Sequence, residues 1–298
     1  MTLDVDEQVV DAPRERVAHA QPRRPRSRRR PNIPGAIGGF VWLGIAIVPI
    51  YYIVITSLRR QAGFYSGNPL APPSDPTLGN FAEVLQHGFA RYFGNSVVVT
   101  AATVLVTLAV SLMAAYAVVR GSGRVIRVVF STFLLGLAIP LHATIIPLYY
   151  MITQLHLYDS LLGIILPSIG FAIPISVLIL ATFLRDIPAE LFESMRVDGA
   201  SEWRMLVKLA LPLARPALVT VAIYDGLNAW NGFLFPLILT QSEERRVLPL
   251  SLWAFQGEFT VNIPAVLAAV VLSTLPIVAL YALGRRHLVS GLTAGFGR

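Results

Sequence analysis

Six apolar runs, near residues 34–58, 95–119, 125–152, 160–184, 216–240 and 263–284, each approach the roughly 20 residues a helix needs to cross a bilayer. Hydrocarbon offers no water to backbone amides, so runs of this length span as helices or not at all. The spacing therefore predicts an all-α membrane protein with six transmembrane helices. Composition agrees: 55% hydrophobic and 14% charged residues exclude an ordinary soluble domain. The chain has no cysteine, hence no disulfide framework or thiolate metal site, and its five histidines show no ligand spacing.

Charge sets the orientation. Of the 24 Lys and Arg residues, nineteen fall in the N-terminal tail, the 120–127 turn, the 185–215 segment and the C-terminus. The other five, Arg59, Arg60, Arg91, Arg245 and Arg246, fall in the alternate loops. The positive-inside rule then places both termini and residues 185–216 in the cytoplasm, with 59–94 and 241–262 facing outward. The net charge of +7 is thus topological and needs no nucleic-acid partner.

Residues 1–32 hold an acidic start and an Arg/Pro-rich stretch. They cannot bury apolar surface, which predicts a disordered cytoplasmic tail preceding a permease-like domain over 33–298. No aromatic residue in the tail could stack on bases. The first apolar run is too long for a cleaved signal peptide.

The 185–216 segment stands apart, with five acids and five bases between two spans. Pro188 suits a first helical position, and Glu190 places negative charge where the helix dipole favours it. Asp198-Gly199 ends that helix, because glycine accepts a left-handed turn. Ser201 can cap a second helix whose stripe would be Trp203, Leu206, Val207 and Ala210, with Pro212 preventing continuation. An amphipathic connector on the bilayer surface would fit these features equally.

In the second span Ser96, Thr100, Thr103, Thr107 and Ser111 share a helical face, a pattern of close helix packing. Pro140, Pro147, Pro167 and Pro174 predict kinks or breaks in the third and fourth spans. Asp225 is an acid well inside the fifth span, where a carboxylate costs several kcal/mol unless it faces water or a partner. With Asn228 and the nearby Asn231 it marks either a translocation pathway or a buried helix-fixing bond. The 241–262 loop mixes Glu243 and Glu258 with Trp253 and Phe255, as docking surfaces do.

Glu193-Ser-Met-Arg-Val-Asp-Gly199, followed by Leu211-Pro-Leu-Ala-Arg-Pro216, resembles the EAA loop of binding-protein-dependent ABC importers. Ser194 and Met195 stand where that pattern has two alanines, while Glu193, Asp198, Gly199 and Ala200 match it. Asn95-Ser96, Ile146-Pro-Leu-Tyr149, the run Leu157–Leu166, Trp230-Asn231 and Gly291–Gly295 are similar to the sugar-importer branch, which contains the second permease of maltose-type systems. The likeness covers roughly residues 34–298. It implies the type I importer permease fold, with a cytoplasmic coupling-helix pair between spans four and five. It also implies a bacterial inner-membrane complex in which this subunit pairs with a related permease. Two ATPase subunits, which bind ATP and Mg²⁺, and an extracytoplasmic solute-binding protein would complete that complex.

On that resemblance Glu190, Glu193, Arg196, Asp198, Gly199, Trp203 and Leu206 would meet the ATPase. Asp225, Asn228 and Asn231 would line the pathway. Glu243, Trp253, Phe255 and Glu258 would meet the binding protein. The chain has no Gly-Lys-Ser/Thr phosphate loop and a single lysine, Lys208, so hydrolysis would lie on a partner and this chain would not be an enzyme. An importer of a non-sugar solute (a polyol, glycerol phosphate or peptide) stays open, as does a self-contained secondary transporter.

Overall fold

The computed structural model describes residues 33–65, 67–252 and 261–294, with side chains described up to residue 279. All regular elements among them are helical. They are α1 (Ile33–Ser57), α2 (Gly79–Gln86), α3 (Phe89–Arg120), α4 (Arg124–Gly136), α5 (Ile145–Gln154), α6 (Leu161–Arg185) and α7 (Ala189–Val197). There follow α8 (Glu202–Leu213), α9 (Arg215–Trp230), α10 (Leu234–Leu239), α11 (Leu248–Ser251) and α12 (Ile263–Ala294). The described residues 33–46 fall outside the main unit and are helical throughout, with Phe40 and Trp42 largely exposed.

From Ile47 onward the chain is one unit built around α3, which packs most extensively on α6 and then α9. The hydroxyl face permits that approach. Ser96, Thr103, Thr107 and Ser111 are all buried, small enough to bring backbones close. Three cores result. One joins Leu112, Ala115 and Tyr116 of α3 to Leu180 and Leu184 of α6 and to the 192–221 stretch. A second gathers Val99, Ile152, Ile164, Phe235 and Leu239. A third seats Val84 of α2 on Ala265, Ala268 and Ala269 of α12.

The expected spans meet the helices unevenly. α1, α3 and α6 are each long and apolar enough to cross a membrane. The 125–152 run is instead a pair bent by 95° around Pro140. Pro147 lies in the first turn of α5, where its missing N–H costs nothing. Pro167 and Pro174 both lie inside α6, which continues as one helix, so of the kink or break expected there the break does not occur. Pro174 is buried against α4, where a Cβ at Gly136 would come within 2.8 Å of its ring, so only glycine allows this approach. The 216–240 run also differs. α9 ends at Trp230, and the chain restarts as α10 so that Pro236 falls in an opening turn rather than a helix interior.

Tight loops brace the ends of the spans. Arg59 turns inward and donates to the carbonyls of Asn68, Pro69 and Ala71, fixing the proline-rich loop. Asn80 of α2 donates to the carbonyls of Ser57 and Arg59 at 2.8 Å. The short helix α2 is amphipathic, with Val84 inside and Leu85 exposed.

Candidate functional site

Two regions hold the residues singled out from sequence: the polar segment between α6 and α9, and a cavity beside Asp225.

The polar segment forms two helices, as expected, though packed differently. α7 starts after Pro188, with Glu190 in its first turn and Arg196 in its last. It ends in a left-handed glycine: Gly199 has φ +76°, and the amides of Gly199 and Ala200 donate to the carbonyls of Arg196 and Met195. Ser201 then caps α8, its Oγ accepting from the Arg204 amide.

Pro212 does not stop α8. Residues Leu206–Ala210 make a π-turn, in which the Leu211 amide reaches back to Leu206, and the helix runs on to Leu213 before bending 76° into α9. The wider turn carries the chain past a proline that cannot donate. The buried face of α8 matches the expected stripe only in part. Met205, Leu206 and Ala210 are buried, while Trp203 is 65% exposed. Leu206 thus belongs to this chain's own core, and of the two apolar residues expected to meet the ATPase only Trp203 remains on the surface.

Phe192 anchors α7. It is 1% exposed, packs on Tyr116 with centroids 6.2 Å apart, and lies under the Arg120 guanidinium at 4.3 Å. Burying such a ring stabilises the contact by about 2–3 kcal/mol. Glu202 then ties the pair to α3. Its Oε2 accepts from the Tyr116 hydroxyl and its Oε1 from Arg196, each at 2.7 Å. The Tyr116 bond first, and then Arg196, hold this carboxyl below the usual range. Glu190, Glu193, Asp198 and Trp203 remain exposed, with Val197 (88%) among them. Charged and apolar side chains thus stand outward on a helix pair fixed from behind.

Asp225 is 2% exposed on α9. Its Oδ2 accepts from Ser176 of α6 at 2.9 Å, and its Oδ1 has no partner. It lines a cavity of about 290 Å³ between α3, α6, α9 and α10, shared with Asn228, whose amide donates to the Tyr224 carbonyl. Asn231 is not there. It is exposed, bonded to the Leu227 carbonyl, and lines a separate hollow with Trp230 and Leu248.

The start of the 241–262 loop is held from two sides. Asn95 donates to the carbonyls of Glu244 and Arg246 at 2.8 Å, and Ser96 Oγ accepts from the Leu248 amide. Asp159 Oδ1 accepts from the amides of Gln241 and Ser242 and from the Ser242 hydroxyl. Burial disfavours its charge, but those donors outweigh burial and hold the carboxyl low. Glu243 is exposed and paired with Arg246. Trp253, Phe255 and Glu258 lie outside the described residues, as do residues 1–32. The roles of Glu202, Tyr116 and Asp159 were not foreseen. Asp159 sits within a quoted run, but Tyr116 is 86 residues from Glu202 and no spacing pattern joins them.

The family described as "Binding-protein-dependent transport system inner membrane component" matches residues 107–293. The ORF2 protein of Caldicellulosiruptor sp. (strain Rt8B.4), named as an ABC transporter permease, is 40% identical over 86% of this chain and 93% of its own length. The trehalose/maltose transport system permease protein MalG of Thermococcus litoralis is 32% identical over 87% of this chain and 94% of its own. A chain from a bacterial ABC transporter that imports the acidic polysaccharide alginate superimposes with a TM-score of 0.76. That chain is 26% identical, over 89% of this chain and 99% of its own.

Proposed function

Because the chain belongs to the family of inner membrane components of binding-protein-dependent transport systems, we propose that it forms half of the pathway of an ATP-driven sugar importer and is driven through residues 186–216. The observation that carries this reading is the α7–α8 pair. Gly199 bends it, Glu202 and Phe192 seat it on α3, and Glu190, Glu193 and Trp203 point away from the chain. Such a face fits a partner that pushes on it.

In this reading the spans are α1, α3, the α4–α5 pair, α6, α9 with α10, and α12. Both termini and the α7–α8 pair lie in the cytoplasm, as the Lys/Arg asymmetry favours. Two ATPase subunits carry the nucleotide and Mg²⁺. They grip α7–α8 here and its counterpart on a related permease. Closure of the ATPases moves the pair, and the core shared with α3 and α6 transmits the motion. The ATPases bias the switch only if the pair fits one closure state better. The loop at 241–262 faces an extracytoplasmic solute-binding protein. A sugar is favoured as cargo by the MalG likeness.

Reconstitution tests this. The chain is placed in proteoliposomes with its second permease, ATPase and binding protein, and labelled sugar is offered outside. Uptake that requires ATP inside the vesicles, on the ATPase side, supports the reading. Uptake by this chain alone under an ion gradient removes it.

A further inference from the structure

Arg124 and Arg127 open α4, whose first turn carries no acid, and Arg185 closes α6. All three are exposed, and none belongs to an ion pair among the described residues. Asp186, beside Arg185, is also exposed and pairs with none of them. The place of Arg185 is fixed by α4. Its guanidinium lies 5.1 Å from the centroid of the Phe130 ring, and Phe130 follows Arg127 by one helical turn. Three like charges thus gather where α6 meets α4, which is unfavourable without a counter-anion. Arg120, just before the turn, is already stacked on Phe192.

Apolar surface continues from this charge. No residue of α4 is buried, and Arg124, Arg127, Val128, Ser131 and Leu135 recur on one helix face. Val128 is 56% exposed and Leu135 68%. The rise from Arg124 to Leu135 is about 16 Å, close to half of the roughly 30 Å hydrocarbon core. Topology requires only that the arginines be cytoplasmic. It does not require one of them to be held over a ring of the next helix, at the foot of an apolar stripe one leaflet long.

We propose that this face docks one anionic phospholipid of the cytoplasmic leaflet, its phosphate held by Arg124, Arg127 and Arg185 and an acyl chain lying on Val128 and Leu135. The inference rests on the membrane orientation proposed above and not on the cargo. Arginine pairs with phosphate oxygens through parallel N–H donors, which supplies the missing counter-charge. The apolar stripe is what distinguishes a lipid from a free anion.

The assembled complex is placed in phosphatidylcholine nanodiscs containing phosphatidylglycerol with a photoreactive acyl chain, and adducts on this chain are mapped by peptide mass. Adducts are expected on α4, lowered by unlabelled phosphatidylglycerol but not by excess inorganic phosphate. Photoreactive phosphatidylcholine is expected to label α4 far less. Arg124→Gln, Arg127→Gln and Arg185→Gln are each expected to weaken labelling about fivefold, the effect of one charge beside an anionic surface. Arg215→Gln, at the start of α9 and likewise without an ion pair, is expected to change little. Arg127→Lys keeps the charge and is expected to retain most of the labelling that Arg127→Gln loses. Equal labelling by both lipids, displacement by inorganic phosphate, or no adduct on α4 because a partner chain covers it overturns the site. So does Arg215→Gln matching the three arginine variants, or equal loss in Arg127→Lys and Arg127→Gln. Ser122→Cys, unique in a chain without cysteine, reports separately through a membrane-impermeant maleimide. Labelling from the outer side alone removes the orientation, and the transporter reading with it. Missing lipid adducts with the thiol still cytoplasmic remove the lipid site alone.

Discussion

Tyr116 donates its phenolic hydrogen to Oε2 of Glu202 at 2.7 Å, joining α3 to the first turn of α8. Arg196 of α7 reaches the other oxygen of the same carboxylate. One side chain thus links three helices, and it does so where the polar segment meets the largest core. The Arg196–Glu202 pair alone contributes little, because both side chains are more than half exposed. The hydroxyl bond is the better candidate for holding the pair in register.

Tyr116→Phe keeps the ring on Phe192 and removes that hydroxyl, at a cost of about 1 kcal/mol. The expected outcome is a lower Tm for the purified complex and less sugar moved per ATP. An unchanged ratio of uptake to hydrolysis would show that the link is not used in coupling. The pH dependence follows from the depressed carboxyl of Glu202. A group with a lowered folded pKa contributes its stability above the unfolded value, about 4.3 for Glu, and loses it as pH falls through the folded value. The link is therefore constant from about pH 6 to 8 and fails only in acid.

Gly199→Ala tests the bend. A Cβ there meets nothing within 4 Å, so the cost is conformational rather than steric, about 1 kcal/mol for forcing φ +76° on alanine. Thermal unfolding of the complex measures it. A loss well beyond that figure would mean the turn is contacted by a partner.

The bend, its capping serine and the buried acid were legible because each is a local rule. Glycine favours positive φ, serine accepts at an N-cap, and a carboxylate inside an apolar run must find a donor. The inward face of α8 was not legible. Counting at 3.6 residues per turn selected Trp203 with Leu206 and Ala210, but ahead of the π-turn at 206–210 it is Met205 that is buried with them. Pro140 marked the break in the third run, but no periodicity showed the one in the fifth. Hydropathy averages across Pro140 and Gly232, whereas α4, α9 and α10 each pack on α6 as separate helices. The Tyr116–Glu202 and Asp159–Ser242 bonds span long stretches of sequence, which spacing within a motif does not register.

Trp203 and Leu206 separate partner contact from core. Trp203→Ala leaves stability within about 0.5 kcal/mol, as for exposed sites, while weakening ATPase association by about 2 kcal/mol if Trp203 anchors that interface. Leu206→Ala empties a core position and lowers stability by about 2–5 kcal/mol. Pull-down of the ATPase and thermal unfolding, run on both variants, give this crossed pattern. Equal behaviour of the two would refute the assignment of Trp203 to the interface.

Asp159 makes the corresponding test on the opposite loop. Its Oδ1 accepts from the amides of Gln241 and Ser242, so Asp159→Ala removes both bonds, at about 0.5–1.5 kcal/mol each. Hydrogen exchange at those two amides is expected to accelerate by up to about tenfold, since each 1.4 kcal/mol of lost protection is tenfold. Asn95 still holds the carbonyls of Glu244 and Arg246, so exchange at Leu248 changes little. The carboxyl is held low, so this bracing is present above the ordinary value of about 3.9 and is lost as pH falls through the lowered one. Because the loop is proposed to meet the binding protein, the variant is expected to slow sugar delivery while leaving basal ATP hydrolysis intact. A variant that exchanges faster yet imports at the wild-type rate would show that the register of residues 241–242 has no part in that docking.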